Sequence, residues 1–134
     1  MIDIENQVYT KVRAAVIAQF STAYVSSTYV DKPPSFPAVS VEQRDCYPTR
    51  ATQDTSNVEY TSDVMFEINV YSNKQGTNKS ECKAIAAVVD TTLAGIGFTR
   101  TMLQPTPNLA DATIYRITAR YTARVGKDET IYRS

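Results

Sequence analysis

Two stretches of this chain carry opposite charges at matching intervals, which limits how its strands can lie together. Between Val58 and Tyr71, Val58, Tyr60, Val64, Phe66, Ile68 and Val70 alternate with Glu59, Asp63 and Glu67. Between Ile114 and Val125, Tyr115, Ile117, Ala119, Tyr121 and Val125 share one parity, and Arg116, Arg120 and Arg124 the other. A period of two is the mark of a strand with one buried and one wet face. An antiparallel pairing predicts Glu59 opposite Arg124, Asp63 opposite Arg120 and Glu67 opposite Arg116. Phe66 then lies beside Ile117 and Tyr60 beside Ala123. A slip of one residue would turn the apolar set outward, so the faces are strongly specified.

Helical periodicity appears twice. Ile4, Val8, Val12, Ala15, Val16 and Phe20 form one apolar stripe, predicting a helix from about residue 4 to 20 with Asp3 as its cap and Glu5 near the positive end of the dipole. Cys82, Ile85, Ala86, Val89, Leu93 and Ile96 form a second. Asn78 and Glu81 have capping-box spacing, and Gly95 with Gly97 supplies the stop. Residues 23–30 and 38–45 read as strands, the latter with Val39 and Val41 inward, and Phe98 to Leu103 as a short one. The tail folds back through Ile131 and Tyr132 or reaches a partner.

The expected fold is one α+β domain over residues 1–134 in the order α-β-β-β-α-β-β. Both amphipathic helices cover one face of a mostly antiparallel five-stranded sheet. A right-handed crossover through the second helix sets the Phe98 strand parallel to the Val58–Tyr71 strand. The arginine-bearing strand fits between them, antiparallel to both.

Composition narrows the chemistry. The 134 residues hold 14 basic and 14 acidic side chains and no histidine. Without histidine, Ser-His-Asp and Cys-His catalysis are excluded, and zinc would need an unusual donor set. No catalytic, metal or cofactor-binding residues are assigned, and the chain is expected not to be an enzyme. The zero net charge offers no basic excess for phosphate binding. Cys46 and Cys82 lack CxxC spacing and read as reduced thiols. The N-terminus lacks a signal-peptide pattern and no apolar run spans a bilayer, so a soluble protein made in a bacterial cytoplasm is expected, with no membrane partner.

Residues 46–57 form a long polar connection, a candidate contact loop that should project from the sheet. Tyr47 in that loop and Tyr132 in the tail have no core position and are candidate interface anchors. The candidate interface set is Tyr47, Arg50, Asp54, Glu59, Asp63, Glu67, Arg116, Arg120, Arg124 and Tyr132. The plain alternative for the charge ladders is solvent-facing ion pairs on the order of 0.2–1 kcal/mol each.

The segments 66–74 (FEINVYSNK), 79–85 (KSECKAI), 97–101 (GFTRT) and 112–121 (ATIYRITARY) resemble those of the tail terminator, or tail completion, proteins of long-tailed bacteriophages and prophages. The resemblance runs from about Val58 to the C-terminus. It implies a homohexameric ring at the head–tail junction of a virion, with the tail tube protein, head-completion proteins and further copies of the chain as partners. DNA would pass through the lumen without sequence readout. Another connector role, as a head-completion or stopper protein, is the alternative. A nucleic-acid-binding module on a ferredoxin-like sheet is a further one.

Overall fold

The structure is a computed structural model that describes residues 4–27, 36–48, 61–73, 76–106, 114–126 and 131–132, without the side chains of 45–48, 61–62 and 131–132. Its elements are α1 (Glu5–Gln19), β1 (Tyr24–Ser26), β2 (Ala38–Pro48), β3 (Thr61–Ser72), α2 (Asn78–Gly95), β4 (Thr99–Pro105), β5 (Tyr115–Gly126) and β6 (Ile131–Tyr132). One sheet runs β1-β2-β3-β5-β4, and β6 pairs with the end of β5. Only the β1–β2 pair is parallel. The α+β order and the place of β5 between β3 and β4, antiparallel to both, agree with the sequence reading. The fold-back of the tail adds a sixth, two-residue strand.

Each helix forms where its apolar stripe finds the sheet. Ile4, Val8, Val12 and Val16 of α1 are buried, as are Cys82, Ile85, Ala86, Val89 and Leu93 of α2. They meet Val39, Val41, Val64, Phe66, Ile68, Val70, Ile117, Ala119, Tyr121, Ala123 and Val125 from the inner faces of three strands. A fully buried aliphatic or aromatic side chain contributes about 1.5–3 kcal/mol, so this layer holds most of the stability. At its centre Phe98 and Phe66 meet edge to face, with ring centroids 5.4 Å apart.

The caps differ from expectation. Ile4 occupies the N-cap of α1, and Asp3 lies outside the described residues. The Glu5 carboxylate instead accepts the backbone N–H of Gln43 at 2.8 Å, and the Ile4 N–H donates to the Gln43 side chain at 3.3 Å. The start of α1 is thereby tied to β2. No capping box forms in α2: its N-cap is Thr77, and Glu81 accepts the Ser72 hydroxyl at 2.6 Å. That contact fastens the helix start to the end of β3. Of the two glycines expected to stop the helix, Gly97 does so, whereas Gly95 is the last helical residue. Phe98 N–H donates to Leu93 O and Gly97 N–H to Ala94 O, with Gly97 at φ 105, the paired bonds of a Schellman motif.

Two expectations about the sheet need correction. The β3–β5 pair is antiparallel with the predicted faces, but its register is displaced by four residues: Asp63 pairs with Arg124, Glu67 with Arg120 and Tyr71 with Arg116. Phe66 therefore lies beside Tyr121, and Val64 beside Ala123. Asp63 is not opposite Arg120. The second correction concerns the outer face, which is not wet throughout. Ser40, Asn69 and Thr118 are buried there, and Tyr71 packs with Ala38 and Ile114 in a small second cluster. Strand β2 also runs through Pro48, so the backbone of residues 46–48 is sheet rather than loop.

Candidate interface surfaces

The outer face of the sheet brings the charged candidates together. Glu42 and Glu67 are partners across β2 and β3, a repulsive placement that two arginines relieve. Arg44, at the β-bulge between Gln43 and Asp45, reaches Glu42 at 2.6 Å and Glu67 at 3.7 Å. Arg120 approaches Glu67 from the other side at 3.5 Å, and Arg124 approaches Asp63 at 3.5 Å. The Glu67 side chain is only 12% exposed, whereas Arg120 is 46% exposed. The acid is held in the surface and its cations cover it.

Arg116 takes a different role. Opposite Tyr71 rather than an acid, its guanidinium lies 5.7 Å from the centre of that ring, and its Nε donates to Asn69 Oδ1 at 2.9 Å. The Thr118 hydroxyl donates to the same oxygen at 2.8 Å. These bonds satisfy polar groups over the buried outer row. All three arginines of the ladder are thus engaged within the chain.

The helix side of the sheet carries a second feature. Helix α2 leaves part of β4 uncovered, and a hollow of about 380 Å³ remains between them. Ala86, Ala87, Leu103, Pro105, Tyr115 and Ile117 give it an apolar lining, with Lys83, Asp90 and Arg100 among the polar members. Asp90 accepts the Tyr121 hydroxyl at 3.0 Å and pairs with Arg100 at 3.4 Å. Burial, reinforced by the Asp90 bond, raises the Tyr121 pKa well above that of an ordinary phenol. Leu103, 41% exposed, stands at the edge of the hollow. Sequence periodicity gave no sign of this site, because the strand that forms it is exposed along most of its length.

The thiol of Cys82 is buried and donates toward Tyr115 O at 3.4 Å. Burial pushes its pKa up to about 12, so it is a packed core group rather than a nucleophile. Among the described residues no group of three or more metal-ligating side chains converges, and no helix is long and apolar enough to cross a membrane.

The remaining candidates divide as follows. Arg50, Asp54 and Glu59 lie outside the described residues, as do residues 49–57 of the proposed contact loop. Tyr47 and Tyr132 are strand residues rather than loop and tail residues: the backbone pairs Tyr47 with Asp63 and Tyr132 with Arg124. Asp63 and Arg124 thus sit where β2, β3, β5 and β6 meet at one end of the sheet. Glu67 and Arg120 lie further along the same face, and Arg116 lies beyond them.

No family model matches the chain, and no curated protein matches it. Among solved structures, it is similar to a chain in the virion of a native gene transfer agent particle. The TM-score is 0.69 at 22% identity, and the superposition covers 92% of this chain and 94% of the other. The two share a fold from end to end.

Proposed function

We propose that this chain is a structural protein of a phage-type virion, and that it acts as a tail terminator. In this reading, copies form a ring at the head–tail junction, cap the completed tail tube and present a surface to the head-completion proteins. The observation that carries the reading is the fold shared with a gene transfer agent virion chain across 92% of the length. The resemblance to tail terminators from about Val58 to the C-terminus supports the finer role.

The outer face supports it as well. A ring through which DNA passes must not grip phosphate, and the ladder arginines are already committed to Asp63, Glu67, Asn69 and Tyr71. The same commitments speak against a nucleic-acid-binding module, which needs cations and stacking aromatics available to the strand. No catalytic step belongs to this reading.

Mixing the purified chain with uncapped tail tubes and, separately, with emptied heads tests the proposal by co-sedimentation. Binding to tubes with saturation at one end is expected. Binding to heads alone would make it a head-completion or stopper protein, and binding to neither would overturn the virion role.

A further inference from the structure

Strand β4 is exposed along nearly its whole length, although α2 lies over the same side of the sheet. Its pairing with β5 sets Leu103 beside Ala119 and Pro105 beside Ile117, two core residues, so Leu103 and Pro105 belong to the helix-side face. A helix packed closely over them would bury them. Helix α2 instead presents Ala86 and Ala87 along this edge, and side chains this short leave the space open. The result is the hollow of about 380 Å³, at the small end of the range for ligand sites. Leu103 stays 41% exposed, the one large apolar side chain so exposed among the described residues.

The rim of the hollow is not neutral. Asp90, the carboxylate of the lining, is already met by the Tyr121 hydroxyl at 3.0 Å and by Arg100 at 3.4 Å. Lys83 also lines the hollow and is exposed, and its ammonium has no ion pair among the described residues. Lys79 stands one turn earlier on α2 and is exposed too. An apolar floor with an unmatched ammonium at its lip suits an apolar side chain that arrives beside a carboxylate. It does not suit nucleobases, because the half-buried Tyr115 is the one aromatic ring in the described lining.

We infer that the α2–β4 hollow docks a short segment of another virion protein in which apolar side chains are flanked by carboxylates. An apolar side chain packs on Leu103, Ala86 and Ile117, and a carboxylate faces Lys83. The partner's place in a virion rests on the structural-protein reading above, whereas the site rests on geometry and charge. Side chains rather than backbone make the join, because the bulge between Arg100 and Met102 and the terminal Pro105 interrupt β4 as a template for strand addition.

Methyl NMR of the full chain, titrated with two blocked hexapeptides, tests this. Both peptides carry two leucines, which one flanks with glutamates and the other with lysines. The glutamate peptide should shift the Leu103, Ala86 and Ile117 methyls and saturate with a Kd of about 0.1–1 mM, as a small anchor with one charge contact allows. The lysine peptide should leave them unmoved. Lys83→Glu should weaken the glutamate peptide about tenfold and admit the lysine peptide, and Leu103→Asp should abolish the binding of the glutamate peptide. Both substituted side chains are exposed, so the core is untouched, and circular dichroism confirms the fold of each variant.

No saturable shift from the glutamate peptide up to about 5 mM, equal binding of the two peptides, or binding indifferent to Lys83→Glu and Leu103→Asp would each overturn the inference. So would a nuclear Overhauser contact between Leu103 and Leu109 in the free chain without peptide binding, which would give the hollow to the chain's own β4–β5 connection. Tube capping is scored separately. A chain that caps tubes but binds neither peptide keeps its function and loses this site, and one that binds the glutamate peptide without capping keeps the site and loses the terminator role.

Discussion

Reversing one charge, Glu67→Lys, separates the observed register from the one the charge ladders alone predict. Glu67 lies 3.5 Å from Arg120 and 3.7 Å from Arg44, and it is nearly enclosed by them. With both arginines about half exposed, each attraction is worth about 0.5 kcal/mol after solvent screening. Reversal replaces two attractions by two repulsions of similar size, a cost of about 2 kcal/mol. Removing the Glu42–Glu67 repulsion offsets a few tenths of that. For 134 residues the unfolding entropy is about 0.28 kcal/mol/K, so the melting temperature should fall by about 5–7 °C. Adding Arg120→Glu should restore about 1 kcal/mol, while adding Arg116→Glu should restore none, because Arg116 sits on Tyr71 and Asn69. Thermal and urea unfolding of the single and double variants supplies the coupling energies. Rescue by Arg116→Glu and not by Arg120→Glu would refute the four-residue displacement.

Other consequences are open to the same assays. Phe98→Ala removes a side chain that is 2% exposed and its edge-to-face partner contact, and should cost about 3–5 kcal/mol in urea unfolding; a loss under 1 kcal/mol would deny it a central place. Gly97→Ala forces a side chain onto φ 105 and should cost about 1–2 kcal/mol, read as a lower melting temperature. The Cys82 thiol, with a native pKa of about 12 against an ordinary 9.0, contributes stability that is complete below pH 9 and lost as pH rises toward 12. At pH 11 the linkage amounts to about 2–3 kcal/mol. The stability difference between wild type and Cys82→Ala should therefore narrow by that amount between pH 8 and 11, and a constant difference would contradict the burial argument.

Parity was legible in the sequence, whereas register was not, and the reason lies in the ladder itself. Acids at 59, 63 and 67 and arginines at 116, 120 and 124 both repeat every four residues. Displacing the strands by four keeps every face and still pairs acid with base, so charge alone cannot choose. The Tyr71–Arg116 stack and the Asn69 bonds to Arg116 and Thr118 favour the register observed. Their residue types look like ordinary outer-face polar groups until the partner strand is placed. Hydrophobic stripes did specify both helices, because tertiary burial and period coincide at Val8, Val12, Val16, Ile85, Val89 and Leu93. The capping box failed because Ser72, brought close by the fold, competes for Glu81. Tyr47 and Tyr132 read as loop and tail residues because strand pairing there depends on distant β3 and β5 rather than on local pattern. The α2–β4 hollow had no local signature, since it is created by where a helix stops covering a sheet.

Electron cryomicroscopy of uncapped tail tubes incubated with the purified chain tests the terminator role most directly. A single closed ring of this fold is expected on one end of each tube, with neighbouring copies joined in the same sense. Bare tube ends, or density confined to head portals, would contradict it.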